Sequence, residues 1–208
     1  VGRQPVLAAI TALLERNEVR LVTLTGAGGV GKTRLALQIG HTMLPQFADG
    51  AIFVELAPIR AAPLVAVTIA EALGVRESAG NCPLPAHISD YLRDKELLLI
   101  VDNFEHLLEA APLISTILAA APRVKVLVTS RSVLHLRGEV ELVVPPLHLP
   151  PLHVSPDQSA DQQLDTVESV QLFVQQARAV QPTFILDTIT APHVVGICIR
   201  LDGLPLAI

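Results

Sequence analysis

The sequence predicts an α/β protein built on a doubly wound parallel sheet. Half of its 208 residues are hydrophobic, yet only 3% are aromatic. An apolar content made mostly of Ala, Val, Leu and Ile suits helices packed on a sheet that is buried on both faces. Short β-branched or leucine-rich runs also alternate with longer stretches at helical spacing. This alternation indicates parallel strands joined by right-handed helical crossovers.

The predicted elements follow one another through the first two thirds of the chain. Strands are expected at residues 20–25, 51–56, 97–101, 124–129 and 140–144. Helices are expected at residues 32–43 and 63–73, the second closed by Gly74, and a further helical stretch is expected to break at Pro112. We therefore expect one sheet domain over residues 1–147, with Val1 not a native start.

Composition changes at Pro145 and becomes rich in Pro, Ser, Asp and Gln. Residues 148–165 are typical of a linker. Beyond it, residues 167–180 and 192–200 have a helical pattern without a strand signal. The last residues, after Gly203, are expected to begin another helix, so residues 166–208 are predicted to be a helical domain truncated at its C-terminus.

Charge and composition exclude several classes of partner for this segment. A net charge of −5 and a pI near 5.8 argue against binding a nucleic-acid backbone directly. No apolar run approaches the ~20 residues needed to cross a bilayer. Cys82 and Cys198 lie far apart, and the histidines show no metal-ligand spacing. These features favour a reduced, cytoplasmic protein with no membrane contact.

The main chemical motif is GAGGVGKT, which contains Gly26, Ala27, Gly28, Gly29, Val30, Gly31, Lys32 and Thr33. It matches G-x-x-x-x-G-K-[ST] between a predicted strand and a predicted helix. Glycines let successive backbone N–H groups point at phosphate oxygens, and the helix adds its positive N-terminal end. Lys32 would contact the β- and γ-phosphates, and the Thr33 hydroxyl would bind Mg²⁺. The motif predicts a P-loop NTPase; the alternative is a glycine-rich turn without a ligand.

Two polar strand ends complete the predicted site. The apolar run LLLIV ends at Asp102, which would lie beside the phosphate loop and hold the Mg²⁺ hydration shell. The strand at residues 124–129 leads into Ser130 and Arg131. Because ligands of open α/β sheets bind at the carboxyl ends of strands, Arg131 is predicted to contact the γ-phosphate. The alternative is a surface arginine or a helix-packing partner.

The position after Asp102 is Asn103, which cannot accept a proton at neutral pH. Many ATPases of this broad group carry a water-activating glutamate there. Glu105 is the nearest candidate for that role, and Glu55 in a neighbouring strand is a weaker one. Hydrolysis is therefore expected to be slow, as suits a switch that holds its nucleotide for long periods.

The chain resembles the STAND class of signalling ATPases, in its NB-ARC or AP-ATPase branch. It is most similar to the nucleotide-binding domain of bacterial LuxR-like and antibiotic-regulator-like transcription factors. The resemblance is carried by VGR at the start, the phosphate loop, LIVDNFEH, VTSR, Leu172-Phe173, Ala177-Arg178 and GLPLA from Gly203.

The resemblance implies a role for each matching residue. Gly2 and Arg3 would line the adenine pocket, largely through their backbone. The loop and the adjacent Arg34 would hold the phosphates. Pro205 would press on the base side of the nucleotide and couple its state to domain position. Pro205 also fits the first position of a helix, and both roles are compatible.

The sequence thus favours an ATP/ADP switch that uses Mg²⁺ and belongs to a larger cytoplasmic regulator. Its partners would be the regulatory and effector domains of the same protein, with nucleotide-dependent self-assembly as a further expectation. One rival is a AAA-type motor, which needs a water-activating acid and an arginine finger. The other is a small-molecule kinase, which needs an acceptor pocket and a lid. GLPLA and Asn103 weigh against both, although the fold alone does not.

Overall fold

A computed structural model describes residues 2–75, 83–151, 164 and 166–208, and it contains a five-stranded parallel sheet. The strands are β1 (Leu21–Thr25), β2 (Ala51–Glu55), β3 (Leu98–Asp102), β4 (Lys125–Thr129) and β5 (Glu139–Val143). Their spatial order is β2-β3-β4-β1-β5, and every neighbouring pair is parallel. The predicted parallel sheet is confirmed, with each strand end within one residue of its expected position.

Seven α-helices accompany these strands in the described residues. They are α1 (Gln4–Glu15), α2 (Lys32–Met43), α3 (Leu64–Leu73), α4 (Leu84–Leu92), α5 (Ala111–Ala120), α6 (Glu168–Val180) and α7 (Ala191–Arg200). α1 and α4 were not predicted. Gly74 ends α3 in the left-handed conformation that a C-terminal glycine supplies without a Cβ clash.

One local prediction is wrong. Pro112 does not break a helix, because it lies in the first turn of α5, where a missing N–H costs no intrahelical hydrogen bond. Residues 201–207 form turns around Gly203, whose φ of +63° is one that glycine adopts most readily. The Ile208 N–H donates to the Leu204 carbonyl oxygen at 3.1 Å, which is the spacing of an α-helical hydrogen bond.

Helices pack on both faces of the sheet. Alternate strand residues, such as Leu99, Val101 and Val126, join the buried residues of α3, α4 and α5 in one large core cluster. On the other face α2 packs closely on β3, since a Cβ added to Gly40 would come within 2.6 Å of the Ile100 Cδ1 atom. This arrangement makes the sheet doubly wound and places the β1–α2 loop at its carboxyl edge.

The chain divides into two compact units. The sheet unit comprises Pro5–Gly26 and Lys32–Val144; the helical unit comprises Ala27–Gly31, Pro145–Ile208 and the described residues of Val1–Gln4. The helical unit has its own core, in which Val170 of α6 packs with Val194 and Cys198 of α7. Most of the predicted linker, namely residues 152–163 and 165, lies outside the described residues, as do Cys82 and His153. No described helix is long and apolar enough to cross a membrane.

Candidate functional site

The loop at residues 26–33 follows β1 directly and leads into α2, which begins at Lys32. Gly26, Gly29 and Gly31 have φ values of +144°, +78° and +96°. Residues with a Cβ rarely adopt such values, so these glycines allow the backbone to curl as a phosphate loop requires. A Cβ added at Gly31 would meet no atom of the described residues within 4 Å, apart from its neighbours in the chain. The loop therefore has space beside it as well as the expected curvature.

Lys32 is buried among charged groups of the sheet unit. Its side chain is only 9% exposed, and its Nζ donates a hydrogen bond of 2.8 Å to the Gly26 carbonyl oxygen. Burial lowers the pKa of Lys32, the nearby charges of Glu105 and Asp102 raise it, and Arg131 lowers it again. The ammonium group is thus held at the base of the loop by its surroundings, as a phosphate-binding lysine should be.

Asp102 ends β3 with its carboxylate between two threonine hydroxyls. It is 3% exposed. Thr33 Oγ1 lies 2.9 Å from one carboxylate oxygen and 3.0 Å from the other. Thr129, at the end of β4, donates its hydroxyl to Asp102 Oδ1 at 2.5 Å and accepts a hydrogen bond of 3.0 Å from the Asn103 N–H. A hydroxyl and a carboxylate in contact are the hard oxygen ligands that Mg²⁺ prefers, so these residues fit that ion.

Asn103 turns the chain sharply after β3. Its φ and ψ of 63° and 47° are left-handed, a conformation that asparagine tolerates better than most residues. The following 3₁₀ turn, Phe104–His106, is anchored by the fully buried Phe104 side chain and by a 2.8 Å contact from His106 Nε2 to the Ile59 carbonyl oxygen. The turn fixes the position of Glu105 near Lys32.

Arg131 pairs with Glu105 in this structure. The Arg131 Nε donates to Glu105 Oε1 at 3.1 Å; the arginine side chain is 69% exposed and the glutamate side chain 18% exposed. Glu105 Oε2 is buried and has no hydrogen-bond partner among the described residues. Of the remaining candidates in the sheet unit, Glu55 ends β2 in register with Asp102 but is exposed, and Arg34 is exposed on α2.

In the helical unit, Arg3 links three segments of the chain. Its guanidinium donates to the Pro145 carbonyl oxygen at 2.5 Å and to the Val30 carbonyl oxygen at 3.1 Å, while its backbone N–H donates to Glu168 Oε1 at 3.1 Å. Burial lowers the pKa of Arg3, and the charge of Glu168 raises it. Gly2 faces the same carboxylate, since an added Cβ would lie 2.6 Å from Glu168 Oε1. This network fixes the start of the chain beside loop residue 30.

The GLPLA segment contacts the phosphate loop within the helical unit. Leu206 donates its backbone N–H to the Gly29 carbonyl oxygen at 3.1 Å, and a Cβ on Gly29 would lie 2.9 Å from the Leu206 Cβ. A Cβ on Gly203 would clash with the Leu147 carbonyl oxygen. The Leu147 N–H in turn donates a hydrogen bond of 2.9 Å to the Gly203 carbonyl oxygen. Pro205, which is half-buried, is the neighbour of the residue that makes the loop contact.

Two residues in these networks, Thr129 and Glu168, had no predicted role. Thr129 belongs to the polar Thr-Ser-Arg end of its strand, and this position was a usable signal. Glu168 had no such signal, because its partners Gly2, Arg3 and His148 are distant in sequence. Burial acts to raise the pKa of Glu168, but the hydrogen bonds from Arg3 and His148, with the charge of His148, lower it overall.

Three features define the class of P-loop nucleotide-binding proteins. They are a glycine-rich loop between the first strand and its helix, a buried lysine, and a threonine hydroxyl in contact with the carboxylate that ends β3. The NB-ARC domain family matches residues 3–137. The chain belongs to this family.

Relatives that are named as regulatory proteins support the same assignment. A Mycobacterium tuberculosis protein named as an HTH-type transcriptional regulator is 40% identical over 198 residues, which is 95% of this chain and 20% of that protein. The regulatory protein AfsR of Streptomyces griseus is 33% identical over 60% of this chain and 13% of its own length. The chain therefore spans about a fifth or less of these relatives.

Solved structures confirm the fold. The Aeropyrum pernix ORC1 protein, solved in complex with DNA, gives a TM-score of 0.61 at 20% identity over 99% of this chain and 57% of its own. A STAND protein with a tetratricopeptide repeat sensor from Pyrococcus horikoshii gives 0.51 at 15% identity, over 99% of this chain and 28% of its own. These likenesses concern the architecture of the chain only.

Proposed function

We propose that this chain is the ATP/ADP-binding switch of a larger cytoplasmic regulator. The observation that carries the proposal is the contact of Thr33 with the Asp102 carboxylate, next to the buried Lys32. Its relatives named as regulators are several times longer than this chain. In this proposal, other segments of the larger regulator sense the signal, produce the output and make any nucleic-acid contact. Nucleotide-dependent self-assembly is a property of the whole regulator.

The described residues suit a bound Mg²⁺-nucleotide. The loop N–H groups and Lys32 would hold the phosphates, with Arg34 at the start of α2 beside them. Thr33 and Asp102 would hold Mg²⁺, which neutralises charge on the β- and γ-phosphates when it is bound. Arg131 would contact the γ-phosphate and so distinguish ATP from ADP.

Base recognition and coupling are assigned to the helical unit. Gly2 and Arg3 would line the adenine pocket. Because the Arg3 N–H is already donated to Glu168, this contact must use their other backbone groups. Pro205 would contact the base side of the nucleotide. The neighbouring Leu206 would respond to a change in the loop through its hydrogen bond to Gly29. A nucleotide that changes the loop would then change the packing of GLPLA.

The switch needs different affinities for its two states. In our proposal ADP stabilises a closed form, and exchange for ATP opens it for assembly or output. Asn103 after Asp102 keeps hydrolysis well under the ~10 per second typical of enzymes. Steady fast turnover would instead identify a AAA-type motor, and phosphate transfer to an added metabolite would identify a small-molecule kinase.

Hydrogen–deuterium exchange of the 208-residue chain tests the switch. Samples loaded with ADP and with a non-hydrolysable ATP analogue are compared at saturating concentration. We expect slower exchange at residues 201–208 with ADP than with the analogue, and similar exchange in β1 and β3. The same exchange pattern with both nucleotides would refute the switch while leaving nucleotide binding intact.

A further inference from the structure

We propose that Arg131 exchanges between two partners, the Glu105 carboxylate and the γ-phosphate of a bound nucleotide. While Arg131 is paired with Glu105, the carboxylate cannot activate water, and binding of a γ-phosphate to Arg131 releases it. The proposal rests on the nucleotide switch described above and adds the residue that activates water and the device that controls it. The geometry that carries it is the 3.1 Å ion pair on a carboxylate whose second oxygen is buried without a partner among the described residues.

The two partners differ in how firmly they are held. Glu105 is on a turn anchored by the buried Phe104, by the Asn103 N–H on Thr129 and by His106 on the Ile59 carbonyl oxygen. Arg131 follows the end of β4, and its side chain is mostly exposed. Arg131 is therefore the partner that is able to move, and Glu105 is the partner that stays in place.

The charges explain why a γ-phosphate would win the competition. A partly exposed ion pair contributes little free energy because water screens it. A guanidinium contact with a phosphate is charge-assisted and can be bidentate, so it is the stronger of the two. Glu105 also lies close enough to Lys32 for their charges to interact, so the carboxylate is near the lysine that would contact the phosphates.

Release of Arg131 turns Glu105 into the base that Asn103 cannot be. Glu105 accepts a proton from a water molecule as the water oxygen bonds to the γ-phosphorus. The bond from the γ-phosphorus to the β–γ bridging oxygen breaks, and ADP leaves with that electron pair. The proton on Glu105 then passes to the released phosphate. The Oε1 atom, which Arg131 occupies in this structure and would release, is the oxygen that would accept the proton.

A double-mutant cycle tests the exchange. The preference for a non-hydrolysable ATP analogue over ADP is measured by calorimetry for the wild type, Glu105→Gln, Arg131→Ala and the double variant. Glu105→Gln removes the competing charge, so it should raise this preference about two- to five-fold, the range that a partly exposed ion pair allows. In the Arg131→Ala background the same substitution should leave the preference unchanged.

An equal effect of Glu105→Gln in both backgrounds would overturn the exchange. If Glu105→Gln raised the preference equally with and without Arg131, the carboxylate would act on the phosphates directly through its charge. Failure of the underlying switch is distinguishable, because the wild type would then show no measurable preference or no binding at all.

Single-turnover hydrolysis tests the base. With saturating Mg-ATP, Glu105→Gln should lower the rate of phosphate release by at least tenfold, since general-base catalysis contributes ~10²–10⁴-fold. Its ATP analogue affinity should rise at the same time, which a purely structural defect would not produce. Glu109→Gln, an exposed glutamate on the next turn, is the matched control and should retain the wild-type rate. A wild-type rate in Glu105→Gln, or a loss in Glu55→Gln instead, would overturn the assignment.

Discussion

Replacing Thr129 with valine tests how the Asp102 carboxylate is positioned. Valine keeps the shape of threonine but removes the hydroxyl that donates to Asp102 Oδ1 and accepts from the Asn103 N–H. Thr129 is 1% exposed, so water cannot easily replace the lost partner. A hydrogen bond to a charged group is worth about 1.5–3 kcal/mol, and an unsatisfied buried N–H adds a cost of its own. We expect a loss of about 2–4 kcal/mol in the free energy of unfolding.

Urea denaturation followed by circular dichroism measures this loss. Thr116→Val is the matched control, because Thr116 is exposed and its hydroxyl donates to the Pro112 carbonyl oxygen within α5. It should change stability by less than about 0.5 kcal/mol. The nucleotide affinity of Thr129→Val should also become less dependent on Mg²⁺, since Asp102 is no longer fixed. Equal, small losses in the two variants would refute the positioning role.

Three further outcomes follow from the site. Arg131→Ala should weaken binding of an ATP analogue more than tenfold, as the loss of a charge-assisted contact of ~1.5–3 kcal/mol implies, and should leave ADP almost unaffected in calorimetric titration. Pro205→Ala should speed release of a fluorescent ADP analogue in stopped-flow measurements, and unchanged release would contradict its coupling role. Glu168→Gln should lower the melting temperature at pH 7. The pKa of Glu168 is lowered in the folded state, so its stabilisation is present above the ordinary carboxyl pKa and is lost as pH falls through the folded value. The difference from wild type should therefore shrink towards pH 4, and a constant difference would contradict the ionic contribution.

The sheet and the phosphate loop were predictable because local patterns determine them. Buried parallel strands are short apolar runs, and Gly26 to Thr33 combines a motif with its required strand and helix. Thr33 and Asp102 were expected to share an ion, and the structure brings the two side chains into contact. Errors arose where one residue permits two structures. Pro112 breaks a helix in its interior but starts one in its first turn.

The other parts of the site depend on tertiary contacts that one sequence does not reveal. The Arg131 side chain was predicted to contact a γ-phosphate, and nothing local showed that Glu105 pairs with it. Arg3 bonds to Pro145 and Glu168, which are each more than a hundred residues away in sequence. Helix α1 was not predicted, although Ile10 and Leu14 are buried on one side of it.

Calorimetric titration of Lys32→Ala tests whether residues 26–33 bind the phosphates of a nucleotide. The substitution removes the buried cation whose Nζ lies at the base of the loop, while the backbone N–H groups remain. Lys95→Ala is the control, because Lys95 is paired with Asp49 near the surface, away from the phosphate loop in sequence. We expect at least tenfold weaker triphosphate binding in Lys32→Ala, about 1.4 kcal/mol or more, and an unchanged dissociation constant in the control. An unchanged dissociation constant in Lys32→Ala would contradict the assignment of residues 26–33 as a nucleotide-binding loop.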